Sequence, residues 1–198
     1  MNVPPIVLAS TSPYRMALLE KLGLPIQALS PKLDERAFEQ SSGLLSTQAL
    51  ASALALEKAK SLASDCPGAL IIGADQIAEI NGQRLYKPGS PENAVAQLEQ
   101  LAGRTHRLIT AVSVFSTQQN RAETSLFVHH LTMRSLPRQA LVNYVARDSP
   151  IDCAGSYKIE SLGIALFEEV TGNDFTAIVG LPLTGVVTLL GRFGVQIL

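Results

Sequence analysis

The chain has 198 residues, 46% of them hydrophobic and 17% charged, with a formal net charge of −1 at pH 7. That is enough apolar material for one ample domain, or one domain of two lobes, and it argues against a disordered chain. The near-neutral balance argues against the broad basic face that a nucleic-acid polymer demands. Two distant cysteines, Cys66 and Cys153, form no disulfide framework and suit a reducing cytoplasm.

The N-terminus has no basic stretch followed by a long apolar run, so no signal peptide is expected. Ile6-Val7-Leu8-Ala9 is a short buried strand. Ser10, Thr11 and Ser12 make a hydroxyl-rich turn, Ser12 caps a helix, and Pro13 takes its first position. The amphipathic run from Arg15 to Leu22 ends at Gly23. Such a turn points free N–H groups and a positive dipole end at a neighbouring anion, and phosphate is the usual guest. Arg15 adds a guanidinium suited to a two-pronged phosphate contact. The same pattern also describes any capped helix after a buried strand.

Ile26–Leu29 reads as a second strand. Pro31–Ser46, with Asp34-Glu35, reads as a flexible surface loop. Ser46 or Thr47 opens a long helix to about Ala63, with Leu50, Leu54, Ala55 and Leu62 on its buried side. Ala69–Ala74 is a strand buried on both faces, delivering Asp75-Gln76 at its end. Asn81-Gly82 signals a hairpin. Ser90-Pro91-Glu92 opens a helix to about Ala102. Arg107–Ser116 and Thr124–Met133 are long strands joined by a polar turn, antiparallel by their short connection. Leu136-Pro137 opens a helix to about Arg147. Cys153–Glu160 is a loop, Ile164–Val170 a strand, and Asp174 caps a short turn. Val179–Leu183 leads into a last apolar helix ending near Arg192. Phe175–Gly191 carries no charge, but Gly180, Pro182 and Gly185 interrupt it, which marks a buried core segment rather than a membrane span. This alternation of strands and helices predicts a mixed α/β fold.

Asp75, at the end of a buried strand, either begins a turn or binds a divalent cation or orients water. Asp34-Glu35 either supplies further oxygens or is simply solvated. Lys58 and Lys87 could neutralise phosphate; Lys58, on a helix, is by default a surface residue, and Lys87 before Pro88 is the better candidate. Glu160 could accept hydrogen bonds from a base edge, or be a solvated charge. No P-loop, GxGxxG or HExxH motif is present. His129 and His130, adjacent on a strand, must point to opposite faces.

Together these stretches resemble one family, the Maf-like nucleoside triphosphate pyrophosphatases. The matching pieces are LASTSPYRMALLEKLG, Asp34-Glu35, ALEKAKSLA around Lys58, IIGADQ, YKPGSPENAVAQLEQLAG around Lys87, CAGSYKIESLGIALFE and VGLPL, in the family's order over nearly the whole chain. The resemblance implies a cytoplasmic enzyme that cleaves a nucleotide between its α and β phosphates with a divalent cation, Mg²⁺ or Mn²⁺. It implies an elongated mixed sheet flanked by helices, two lobes with a cleft between them in a single domain spanning 1–198, and often a homodimer. It implies a nucleotide partner and neither a nucleic-acid polymer nor a membrane. By position, Asp75 is the proton acceptor, Ser10, Arg15, Lys58 and Lys87 hold the phosphates, and Glu35 and Asp75 hold the metal.

Three positions depart from the commoner family pattern. Tyr14 stands where many members have arginine, Gln76 where others have Thr, and Glu160 where others have Gln. This set resembles the subgroup acting on 7-methyl-GTP, which more typically has Trp where Tyr14 stands. The chemistry agrees: a 7-methylated guanine is cationic, so stacking on Tyr14 gains a cation–π attraction, and Glu160 can accept from the guanine N–H donors. Tyr14 could also merely pack against its helix. The alternatives are a dTTP/UTP pyrophosphatase of the same family, or a nucleotide-binding regulatory protein linked to cell division.

Overall fold

The computed structural model describes residues 4–43 and 45–198. In chain order the elements are β1 (Ile6–Ala9), α1 (Pro13–Glu20), β2 (Ile26–Leu29), α2 (Glu35–Ser41), α3 (Thr47–Lys60), β3 (Leu70–Ile80), β4 (Gln83–Leu85), α4 (Pro91–Leu101), β5 (Thr105–Ser116), β6 (Arg121–Met133), α5 (Arg138–Asp148), a 3₁₀ turn (Leu162–Leu166), β7 (Phe167–Thr171), α6 (Phe175–Val179) and α7 (Leu183–Arg192). The strands form one sheet in the order β2-β1-β3-β5-β6-β7, with β4 also paired to β3. β1 runs parallel to β2 and β3, whereas β3–β4 and β6–β7 are antiparallel. The sheet is therefore mixed, as the alternation of elements predicts.

The chain divides into two compact units. The first holds residues up to Asp75, Thr110–Phe127 and Asp174–Leu198; the second holds Gln76–Ile109 and Val128–Asn173. In the first unit, strand alternation sends Ile6, Leu8, Leu70 and Ile72 into one core with Leu18, Leu19, Leu189 and Leu190. Val7, Ala9 and Ile71 enter another with Ala59 and Leu62. Hence α1 and α7 cover one face of these strands and α3 the other, which is why the strands read as unbroken apolar runs. In the second unit, α4 and α5 pack together, and His106, Tyr157 and Phe167 form an aromatic cluster.

Local signals account for most boundaries. The side chains of Ser12, Ser46 and Ser90 each accept a backbone N–H at the start of α1, α3 and α4, and Pro follows Ser12 and Ser90. Asn81 and Gly82 have φ of 52° and 80°, the pair of left-handed residues that a type I′ hairpin turn requires.

Three expectations need correction. The segment read as a loop, Pro31–Ser46, contains the helix α2, capped by Asp34 accepting from the N–H of Ala37 at 2.9 Å; Leu44 lies outside the described residues. β3 does not end at Asp75 but continues to Ile80. The stretch Ile164–Val170 is a 3₁₀ turn followed by a strand that starts only at Phe167. Phe175–Gly191 is two helices separated at Gly180, whose φ is 125°. Among the described residues no helix is long and apolar enough to cross a membrane.

Candidate active site

The site is built around one ammonium group. Lys58 is 5% exposed. Its Nζ donates to Oδ1 of Asp75 at 2.7 Å and pairs with Oε1 of Glu35 at 3.0 Å. The default expectation of a surface lysine is therefore wrong, and α3 shows why. Its buried residues are Thr47, Leu50, Ala51, Leu54, Ala55, Lys58 and Ala59, so Lys58 lies on the apolar stripe at the i+4 spacing from Leu54. The helix can come this close to β3 because of Gly73: a Cβ there would fall on the carbonyl oxygen of Ala55 and 2.8 Å from the nitrogen of Ala59. Two residues further on, on the same face of the strand, is Asp75.

Asp75 is 6% exposed and sits within β3 rather than at its end. Glu35 is the first residue of α2 and leaves about half its side chain in solvent. The approach to α2 is tied to α3. Ser61, just past the end of α3, accepts from the N–H of Lys32 at 3.0 Å and donates to the carbonyl of Lys58 at 2.8 Å. Ser61 was not a sequence candidate; only this tertiary contact reveals its part in placing Glu35.

Arg15 ties two backbone segments together. Its Nε donates to the carbonyl of Gly180 at 2.9 Å and its Nη1 to the carbonyl of Ala74 at 2.7 Å. Two of its three nitrogens thus hold backbone oxygens, one of them on the residue preceding Asp75. Burial pulls the Arg15 guanidinium below its ordinary value, opposed by the negative charges of Asp75 and Glu35. Ser10 is buried, and its Oγ accepts from the N–H of Ser12 at 3.1 Å, closing the turn before α1. Tyr14, the second residue of α1, is half-buried.

These residues, Ser10 to Asp75, all belong to the first unit. The structure brings Arg15, Glu35, Lys58 and Asp75 together; Ser10 shapes the turn ahead of Arg15. The remaining candidates belong to the second unit. Gln76 follows Asp75 on the opposite face of β3 and is half-buried. Lys87 is exposed, on a segment whose flanking carbonyls are both held by α4. Gln97 donates to the carbonyl of Tyr86 at 2.8 Å and Asn93 to that of Pro88 at 2.9 Å. Glu160 is exposed in the loop after Ser156.

The donor set suits a hard divalent cation. Lys58 Nζ holds Oε1 of Glu35 and Oδ1 of Asp75, so a cation would use the carboxylate oxygens that Lys58 leaves open, and Mg²⁺ commonly takes one or two carboxylates and completes its shell with water and substrate phosphate. Among the described residues no group of three His, Cys, Asp or Glu side chains stands ready to hold a metal alone, so a cation here would depend on substrate oxygens.

Comparison with known proteins gives a consistent result. Residues 5–193 match the family described as Maf-like protein. A 7-methyl-GTP pyrophosphatase of Syntrophotalea carbinolica is 43% identical over 98% of this chain and 96% of its own. One from Hahella chejuensis is 40% identical over 98% and 96%, and one from Pseudomonas aeruginosa 38% identical over 98% and 100%. A solved nucleoside-triphosphatase, a dITP/XTP pyrophosphatase from Mycobacterium abscessus, overlies 67% of this chain and 76% of its own at 17% identity and a TM-score of 0.42, a likeness too weak to carry an inference.

Proposed function

The chain belongs to the Maf-like protein family, and from that premise we propose that it hydrolyses 7-methyl-GTP to 7-methyl-GMP and pyrophosphate, clearing a modified nucleotide from the cytoplasmic pool. It is a nucleotide hydrolase like its relatives, and the substrate follows the name carried by relatives at 38–43% identity over nearly the whole chain. The observation that carries the chemistry is the buried Lys58–Asp75 pair with Glu35 on the same ammonium.

Attack of water on a phosphorus atom needs a placed nucleophile and positive charge on the phosphoryl oxygens, not a covalent intermediate. Asp75 accepts a hydrogen bond from the attacking water and then its proton. An ordinary carboxylate is a weak base at neutral pH, so fixed direction matters more than basicity. Lys58 supplies that direction by holding Oδ1, which leaves Oδ2 for the water. The ammonium of Lys58 and the dipole of α1 oppose the phosphate charge. Arg15 contributes its charge while anchoring the carbonyl of Ala74. When bound by Glu35 and Asp75, a Mg²⁺ or Mn²⁺ ion supplies further charge neutralisation at the phosphates. In the second unit, the same reading assigns Lys87 to a phosphate oxygen and Glu160 to the N–H edge of the base. Tyr14 stacks on the cationic ring and Gln76 assists in base selection.

The test is pyrophosphate release with Mg²⁺ or Mn²⁺ across 7-methyl-GTP, GTP, dTTP, UTP and CTP. The expected result is clear preference for 7-methyl-GTP, and turnover falling roughly 10²–10⁴-fold in Asp75→Asn with substrate still bound. Preference for dTTP or UTP would overturn the roles of Tyr14, Gln76 and Glu160. Unchanged turnover in Asp75→Asn would remove Asp75 from the chemistry. Binding without turnover of any nucleotide would favour a regulatory protein.

A further inference from the structure

Within the second unit, one amide side chain joins the segment carrying Lys87 to the loop carrying Glu160. Gln97, on α4, donates through Nε2 to the carbonyl of Tyr86 at 2.8 Å and accepts through Oε1 from the hydroxyl of Ser156 at 2.7 Å. Its orientation follows from its partners: the Tyr86 carbonyl can only accept, so the NH₂ must face it. Ser156 is fully buried and has φ of 64°, a backbone region that a residue with a side chain rarely adopts. It follows Gly155, with φ of 78°, where a Cβ would lie 2.7 Å from the Tyr157 ring. The chain reverses there through two left-handed residues. A buried hydroxyl needs a partner, and here Gln97 supplies it.

We propose that Gln97 is a positioning residue for substrate, setting the Lys87 segment and the Ser156–Glu160 loop in one fixed register so that phosphate and base are gripped together. This rests on the reading that Lys87 holds phosphate and Glu160 reads the base. The effect of Gln97 passes through the Tyr86 carbonyl on one side and the Ser156 hydroxyl on the other. The task requires an amide. Glutamate keeps the acceptor for Ser156 but sets a carboxylate against the Tyr86 carbonyl. Leucine keeps most of the bulk and loses both bonds. The Lys87 segment retains two other ties, from Asn93 to Pro88 and from the N–H of Gly89 to the carbonyl of Ile151 at 3.0 Å, so losing Gln97 shifts it without releasing it.

The experiment compares Gln97→Glu, Gln97→Leu and Ser156→Ala with Lys87→Ala and Glu160→Gln as references. KM and kcat are measured for 7-methyl-GTP and GTP, with thermal unfolding as the check on folding. For Gln97→Glu we expect KM to rise on the order of tenfold, the effect of about one hydrogen bond, with kcat and the preference for 7-methyl-GTP over GTP little changed. For Ser156→Ala we expect that preference to fall several-fold, and for Gln97→Leu both effects together. A merely structural role would lower the unfolding temperature without separating these constants. If Lys87→Ala and Glu160→Gln impair turnover while all three test variants match wild type in KM and preference, the role of Gln97 is overturned. If the two reference variants are themselves unimpaired, the assignment of Lys87 and Glu160 fails, and the inference built on it fails too.

Discussion

Lys58 holds two carboxylates on one ammonium, and the two bonds are unequal. Asp75 is as buried as Lys58, whereas about half of the Glu35 side chain is in water. Removing the cation leaves the Asp75 carboxylate buried without its ion-pair partner, which costs about 3–5 kcal/mol, less whatever the nearby Arg15 charge offsets. Removing Glu35's charge breaks a solvent-screened contact worth at most about 1 kcal/mol. We therefore predict that Lys58→Met lowers the urea midpoint sharply and abolishes turnover. Glu35→Gln should leave the midpoint nearly unmoved while lowering turnover. Equal midpoints for the two variants would show that the buried pair does not differ from the exposed one. Lys58 was legible in principle: a lysine on the Leu50–Leu54–Leu62 stripe of a helix is out of place unless paired. Its partner was not, because Asp75 is 17 residues away and meets it only through packing. Arg15 was legible as a candidate cation, but its bonds to Ala74 and Gly180 depend on where residues 59 and 165 positions away come to rest.

Helix α3 and strand β3 form the element pair that makes the Lys58–Asp75 contact, and Gly73 sets their spacing. Since a methyl group there would overlap the backbone of Ala55 and crowd that of Ala59, Gly73→Ala must push α3 outward. Overpacking of this kind costs typically 1–3 kcal/mol and occasionally more. The prediction is a lower unfolding temperature together with a loss of turnover larger than the loss of substrate affinity, because Lys58 is drawn away from Asp75. Normal kcat in a folded Gly73→Ala protein would show that α3 can shift without disturbing the site. The element boundaries that the sequence marks clearly are those with a local cause: Ser12, Ser46 and Ser90 as caps, and Asn81-Gly82 as a turn. Helix α2 was missed for a physical reason. It buries no residue, so it leaves no apolar periodicity, and its only signals are the Asp34 cap and the helix-forming run Glu35-Arg36-Ala37. The true length of β3 was missed because Asp75 and Glu79 are buried charges, which break the apolar run without ending the strand.

At the scale of the whole molecule, three of the four passages of the chain between its two units fall within continuous strands. They lie at Asp75/Gln76 in β3, Ile109/Thr110 in β5 and Phe127/Val128 in β6, so no linker composition marks them; the fourth, Asn173/Asp174, lies between β7 and α6. The units carry different acid-sensitive groups. In the second, His106 is 1% exposed with Nε2 at 2.9 Å from the Tyr157 hydroxyl. Burial lowers its pKa to about 4, against a smaller opposing bond from the backbone of Leu131. The unfolded chain takes up that proton near pH 6.5, so the stability His106 contributes is complete above about 6.5 and is lost as pH falls towards 4, by roughly 3 kcal/mol. In the first unit, burial of Asp174 favours its protonated form, but hydrogen bonds from Thr176 and Thr184 outweigh that and hold its carboxyl below its ordinary value. Those bonds, from both hydroxyls and both N–H groups, tie α6 to the first turn of α7. Their contribution is present above about pH 3.9 and lost as pH drops below it. Acid unfolding should therefore begin in the second unit. The chain has no tryptophan and four tyrosines, and buried Tyr144 and Tyr157 in the second unit should dominate the near-ultraviolet circular dichroism. At pH 5 that signal should be lost at lower urea than the far-ultraviolet signal, and at pH 7 the two should coincide. His106→Phe should lower the midpoint at pH 7, since the Tyr157 hydroxyl loses its partner, yet flatten the decline between pH 7 and pH 5; Asp174→Asn should flatten it only below pH 4. An unchanged decline in His106→Phe would assign the first step to another group.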